Sequence, residues 1–201
     1  MALEINQGMQ LIEREEVFTV AGRDKKGRLL VTVIGKYFPV GLVSVDSVKK
    51  YLEEKVYPAL DNQPFSVVYF HSDVEKSDNN IGISALRSIY DSIPIKIRDN
   101  LRAVYFVHPS FQFRLFMATV GRFMFAGGLY GKIKYVIRLD FLWENVRRKE
   151  IDIPEFVCDR DEELDRVRSM DYCIESDHPR VCRAPDVDSS MPMYYSTRCI
   201  S

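Results

Sequence analysis

Two groups of side chains in this 201-residue chain have types and spacing that bear on chemistry. The first is polar. His71, Ser72 and Asp73 follow an apolar run, and His108 stands beside Pro109 at the end of another. Imidazole, hydroxyl and carboxylate are the parts of a nucleophile–base relay. A Ser–His–Asp set can be assembled on paper from most sequences of this size, however. His71 to Asp73 reads as a polar loop leaving a strand, and His108 as a structural histidine hydrogen-bonded at a strand end. His178 is the one remaining histidine and lies between Cys173 and Cys182. Those spacings match no common zinc pattern. All four cysteines (Cys158, Cys173, Cys182 and Cys199) fall in the last 44 residues and read as free thiols in a reducing compartment. The chain has no GxxxxGK loop followed by Ser or Thr, no GxGxxG after a strand, no GxSxG elbow and no HExxH. These absences argue against phosphate-cradling nucleotide folds, and no catalytic residue, metal ligand or resident cofactor is assigned.

The second group is apolar. Ser110 opens a helix expected to run to about Phe125. It contains Phe111, Phe113, Leu115, Phe116, Met117, Val120, Phe123, Met124 and Phe125. Only Gln112, Arg114, Thr119 and Arg122 are strongly polar. A surface helix is apolar on one stripe only, so this one is buried or faces lipid.

The elements around these residues alternate. Val17 to Val20, the turn Gly22 to Gly27, and Leu29 to Phe38 form a strand–turn–strand unit. The nearly all-apolar Leu29 to Ile34 implies a strand buried on both faces. A helix capped by Ser44 or Asp46 carries Val45, Val48, Leu52 and Val56 at helical spacing, and Pro58 and Pro64 are expected to close it. Phe65 to Phe70 is a second central strand. Helical stretches at Ile83 to Ile93 and Ile95 to Leu101 follow, then a third strand at Ala103 to Val107. Gly127, Gly128 and Gly131 end the apolar helix, and Ile133 to Ile137 is a fourth strand. Leu139 to Val146 reads as a short helix, Ile153 to Val157 as a docking turn, and Asp161 to Arg168 as a short charged helix. The expected fold is α/β, a mixed, largely parallel sheet flanked by helices. Residues 1–14 read as an N-terminal extension, 15–168 as the domain and 169–201 as a poorly ordered tail.

Composition excludes other classes. Apolar residues make up 46% and the net charge is −1, so the chain is not of the disordered type. No apolar run reaches the roughly 18 residues of a membrane-spanning helix. The N-terminus does not read as a signal peptide, and the expected location is cytoplasmic, peripheral to membranes at most. Charge is uneven. Residues 1–149 hold 22 basic and 16 acidic side chains, a balance of +6, and residues 150–201 a balance of −7. The stretch 80–149 carries +8. Such a face attracts phosphate groups or membrane surfaces, or is solvated and partly neutralised by the acidic C-terminal segment. No RNP-type pattern is present, and nucleic acid is not an expected partner.

Several stretches together resemble a divergent CRAL-TRIO domain, the SEC-fourteen-like lipid-binding fold, in its BCH-type branch. Ile97 to Phe111 matches a segment in which Asn, Leu and a basic residue lead to a strand ending Val-His-Pro-Ser-aromatic. Arg122-Phe123-Met124, Gly131 to Val136, Leu139 to Val146 and Ile153-Pro154-Glu155-Phe156-Val157 match further pieces in order, and Gly22 to Val33 resembles the entry hairpin. The likeness spans about residues 15–165. Small plant SEC-fourteen-like proteins and the C-terminal domain of ganglioside-induced differentiation-associated proteins look similar.

The resemblance implies a sheet flooring a lipid cavity, closed by a mobile gate helix at 110–125 and lacking the N-terminal helical bundle of the transfer proteins. It makes Phe111, Phe113, Phe116, Met117, Val120 and Phe123 lipid-binding and places Lys132 where phosphatidylinositol-binding members keep a head-group lysine. Arg98 stands where those members have an acidic residue that contacts inositol. Burial supplies about 0.8 kcal/mol per methylene, so a pocket rich in Phe and Met can hold a lipid without catalysis. The expectation is a non-catalytic lipid-binding or lipid-transfer module that holds a phospholipid or similar hydrophobic ligand and docks on a peripheral membrane surface. The alternative is a BCH-like protein-interaction adaptor that binds small GTPases or their activating proteins and self-associates, with Arg98, Arg102, Arg147, Arg148 and Lys149 as rim charges.

Overall fold

A computed structural model describes residues 2–74, 83–121 and 128–176. The chain divides into a unit of residues 1–165 and a second of 166–201. The sheet and the cores packed on it belong to the first unit.

Five strands form one sheet in the order β1-β2-β3-β4-β5 among the described residues. β1 (Phe18–Arg23) pairs antiparallel with β2 (Leu29–Ile34), and the hairpin matches the expected unit. β2, β3 (Phe65–Phe70), β4 (Leu101–Val107) and β5 (Ile133–Val136) are parallel. The near-continuous apolar runs of β2, β3 and β4 follow from this, because helices cover both faces of a parallel sheet. Parallel strands also need long crossovers, which the helices supply. The register slips between Phe65 and Ser66, which pair with Leu101 and Ala103, and Arg102 is left exposed. That one-residue irregularity lets Leu101 and Val104, three apart in sequence, face the same side.

The helices are α1 (Ala2–Arg14), α2 (Val45–Tyr51), α3 (Tyr57–Leu60), α4 (Ile83–Ser92), α5 (Ile95–Asn100), α6 (Phe111–Phe116), α7 (Leu139–Trp143) and α8 (Glu155–Ser176). Ser44 caps α2 by accepting the Ser47 N–H at 3.1 Å. Pro58 does not close the segment, contrary to the sequence expectation. A π-turn at Leu52–Val56 joins α2 to α3, and the Tyr57 N–H bonds to the Leu52 carbonyl. The wider turn relieves the clash a proline ring makes with the preceding turn of an α-helix.

Two other expectations change. The N-terminal segment set apart as an extension folds as α1, and Met9 and Ile12 are buried in the same core cluster as Val48 and Tyr51. A Cβ on Gly8 would sit 2.5 Å from Ser47 Oγ, so glycine permits the close approach of α1 to α2. The docking turn and short charged helix become one element, α8, which continues past Ser169 to Ser176. Pro154 precedes its first turn and Glu155 stands within it, both favourable at a helix start.

The two sheet faces carry two cores. On one, Leu30, Val68, Phe70, Tyr105 and Val107 pack with Leu142, Val146 and Val157. On the other, Val31, Phe65, Leu101 and Val104 cluster with Val48, Leu52, Leu60, Ile89 and Ile97 from the helices. The second face is not filled solid.

Candidate functional site

A cavity of about 540 Å³ lies on that second face. Its floor is Val31, Val33, Val67, Val104 and Phe106, alternate residues of adjacent strands as a pleated sheet requires. Val48, Leu60, Ile89 and Ile97 wall it from α2 to α5, and Phe113, Phe116 and Met117 close it from α6 and the π-turn Met117–Gly121. The volume falls within the 300–1,000 Å³ of ordinary small-molecule sites, which are lined mainly by apolar side chains.

α6 starts because Ser110 accepts the Phe113 N–H at 3.2 Å and Pro109 precedes it. Of the residues expected to bind lipid, Phe113, Phe116 and Met117 line the cavity. Phe111 and Val120 do not. They are 69% and 44% exposed, and Leu115 is 54% exposed. These three turn apolar surface outward from the segment that closes the cavity. Phe123 lies outside the described residues, as do Arg122, Met124, Phe125 and the remainder of the helix expected to reach Phe125. Lys132 is not a lining residue. Its ammonium donates to the Arg98 carbonyl at 3.2 Å, and Arg98 itself lines the cavity.

Sequence reasoning missed His71 as a lining residue. It follows β3 directly, and its N–H donates to the Val107 carbonyl at 2.9 Å. The ring lies 4.8 Å from that of Phe113 and 5.8 Å from that of Tyr69. Nδ1 is enclosed and has no hydrogen-bond partner among the described residues. Burial lowers the His71 pKa, which keeps the imidazole neutral at pH 7. The same loss of water pushes Tyr69 up to about 12. The alternation Phe65, Val67, Tyr69, His71 along one extended segment was the available signal.

The polar types that suggested a relay do meet, in another place. Ser72 Oγ lies 2.8 Å from His108 Nδ1, and His108 Nε2 lies 3.0 Å from Asp161 Oδ1. That same oxygen accepts the Leu139 N–H at 2.9 Å. Ser72 is only 2% exposed and does not line the cavity. As placed, the three form a strut between the ends of β3 and β4 and helix α8. His108 holds a left-handed backbone, φ 52°, which costs a non-glycine residue about 1–3 kcal/mol and is held here by these bonds. Its pKa is lowered by burial, against the raising effect of Asp161.

The basic stretch is partly neutralised within the fold. Arg138 pairs with Asp165, and Arg148 and Arg138 approach Asp140. Lys96, Arg102, Lys134, Arg147 and Lys149 are exposed. No group of His, Cys, Asp and Glu among the described residues could hold a metal ion. No described helix is long and apolar enough to cross a membrane. Cys158 is a free, exposed thiol, and Cys182, Cys199 and His178 lie outside the described residues.

The family model for the divergent CRAL/TRIO domain matches residues 27–163. Among curated proteins, the chain is similar to ganglioside-induced differentiation-associated protein 2. Identity to the Rattus norvegicus protein is 33% over 143 residues, which is 70% of this chain and 28% of that one. For Homo sapiens it is 32% over 143 residues, again 70% and 28%. For Danio rerio it is 32% over 158 residues, or 77% and 30%. The chain thus spans less than a third of the length of these relatives.

Proposed function

The chain belongs to the divergent CRAL/TRIO domain family, and from that membership we propose that it is a non-catalytic lipid-binding module. It takes up a phospholipid or similar hydrophobic ligand and presents or carries it at a membrane surface. The observation that carries this reading is the cavity of about 540 Å³, apolar along its floor and walls, in the place where a protein without a ligand would pack side chains. Burial of chain methylenes, at about 0.8 kcal/mol each, supplies the affinity. Phe113, Phe116 and Met117 are the proposed ligand contacts on the closing segment.

Membrane docking is assigned to the outer side of that segment. Phe111 and Leu115 are exposed, Arg114 lies beside Phe111 with its guanidinium carbon 5.9 Å from the ring centroid, and Lys134 is exposed on β5. Apolar side chains flanked by cations suit an anionic bilayer, where each Lys or Arg near the surface contributes about 1 kcal/mol. Lys132, bonded to the Arg98 carbonyl, is proposed as a rim residue rather than a cavity contact.

The test is a transfer assay. Purified protein is mixed with donor vesicles that carry radiolabelled lipid and with unlabelled acceptor vesicles. Label that moves with the protein or reaches the acceptors supports the reading. Protein that acquires no label from any lipid class contradicts it, and the adaptor alternative, with GTPase or regulator partners, would then take its place.

A further inference from the structure

His108 stands at the root of the segment that closes the cavity. Its backbone is left-handed, φ 52°, which is unfavourable for any residue with a Cβ. A residue before proline prefers an extended chain instead, and Pro109 follows. The His108 N–H donates to the Val136 carbonyl at 2.9 Å. Rotation about the His108 N–Cα bond leaves that hydrogen bond in place and swings everything beyond it. Pro109, whose own φ is fixed by its ring, passes the rotation to Ser110, the cap of α6. Ser110, Phe113, Phe116 and Met117 then move with it, and all four line the cavity. His108 therefore has the position of a hinge, strained in the closed form.

The imidazole holds the hinge from the opposite sheet face. A carboxylate only accepts, so His108 Nε2 carries the ring proton and donates to Asp161 Oδ1 at 3.0 Å. Nδ1 of the neutral ring then accepts from Ser72 Oγ at 2.8 Å. A second proton on the ring reverses that bond. Nδ1 becomes a donor, and the Ser72 hydroxyl, buried with the ring, must turn its own proton away. The charges around the ring oppose one another. Burial makes His108 harder to protonate than in water, Asp161 works against this, Arg160 works with it, and Asp73 works weakly against it. Asp73 is itself paired with Lys36 from the end of β2, at 3.0 Å. Arg138, which leads into α7, stands 4.0 Å from Asp161 Oδ2 and pairs with Asp165 and Asp140. The neutral ring is thus built into the closed form, and the charged ring is better served by water.

We propose that His108 is a proton-operated hinge: on taking up a proton its ring leaves the seat between Ser72 and Asp161, its backbone relaxes to the extended region, and residues 110–121 swing off the cavity. The hinge stands independently of what fills the cavity, whereas its use, the release of a ligand in acid, rests on the lipid-binding reading. The sign follows from linkage. The swung-out ring is hydrated and titrates near the ordinary 6.5, and the seated ring titrates lower. Lowering the pH from 7.5 to 5.5 therefore raises the open population roughly five- to tenfold.

Hydrogen–deuterium exchange of the whole chain at pH 7.5 and 5.5 tests the hinge, with rates corrected for the intrinsic slowing of exchange in acid. Peptides covering 110–121 are expected to lose protection roughly five- to tenfold at pH 5.5. That loss should be unaffected by low concentrations of urea, which marks a local opening rather than unfolding of the domain. His108→Asn, which tolerates a left-handed backbone but does not titrate, should abolish the acid response. His71→Phe should retain it. Unchanged protection of 110–121 in the native protein overturns the proposal, as does a loss that grows with urea, one that persists in His108→Asn, or one that vanishes in His71→Phe. The native and His71→Phe measurements decide the matter even if His108→Asn does not fold. The use of the hinge is read from Nile red, which should leave the preloaded native protein roughly five- to tenfold faster at pH 5.5 than at pH 7.5. Faster exchange with an unchanged dye rate overturns control of the cavity by the hinge. Failure of the dye to bind at either pH counts against the lipid reading, and the exchange result still decides the hinge.

Discussion

His108 Nε2 lies 3.0 Å from Asp161 Oδ1, and this contact joins the end of β4 to the helix on the sheet face opposite the cavity. The carboxylate also receives the Leu139 N–H, so one side chain satisfies two buried groups. Asp161→Ala leaves both unpaired and is expected to cost about 2–4 kcal/mol. Ser72→Ala removes a single neutral hydrogen bond and should cost about 1 kcal/mol. Urea unfolding midpoints check both. A loss below about 0.5 kcal/mol for Asp161→Ala would show that the strut is not structural.

Stability should fall as pH drops below neutral. His71 and His108 have folded pKa values lowered from the ordinary 6.5, in both cases chiefly by burial. The unfolded chain therefore binds protons first, and stability declines as pH falls through 6.5 toward the folded values. Asp24 acts in a lower window. Burial alone would raise its pKa, but hydrogen bonds from the Arg28 and Lys26 backbone and from the Arg28 side chain, together with the Arg28 charge, leave it lowered. Its contribution is present above about 3.8 and is lost as pH falls through the folded value. Urea unfolding at pH 7.5, 6.5 and 5.5 should show the decline, and His71→Phe should reduce it. A flat profile for the native protein would contradict the histidine assignment.

Val67 lies mid-strand on the cavity floor. Val67→Phe places a ring in the empty space and should abolish lipid uptake while leaving stability unchanged or raised by about 1 kcal/mol. Uptake and unfolding measured together separate this from simple disruption. Undiminished uptake would mean that the ligand lies elsewhere.

Leu115→Glu tests the outer side of the closing segment. Leu115 is 54% exposed, so the change should affect stability by less than about 0.5 kcal/mol. Sedimentation with anionic vesicles should weaken by about tenfold, and the weakening should be greater than for Lys132→Ala. Unchanged sedimentation would remove this face as the docking surface.

The fold was largely legible because its strands are buried on both faces. Runs such as Phe65 to Phe70 are almost wholly apolar and lack the one-sided stripe of a surface helix, and prolines and short polar stretches bound them. α1 was less legible, since Asn6, Gln7 and Gly8 interrupt its apolar spacing and the glycine looks like a breaker until its approach to Ser47 is seen. The cavity was half legible. The apolar excess of residues 110–125 signalled burial, but composition does not say which side chains turn inward, and Phe111 and Val120 turn out. His71 and the Ser72–His108–Asp161 strut were hidden for another reason. Their partners are 36 to 53 residues away, and only the parallel pairing of β3 with β4 and the placement of α8 bring them together.

The most direct test is native mass spectrometry of the purified chain, followed by organic extraction and identification of any bound molecule. The account predicts one equivalent of a phospholipid or similar hydrophobic molecule on the native protein and none on Val67→Phe. A native protein that emerges empty, and stays empty after incubation with vesicles of total cellular lipid, would contradict it.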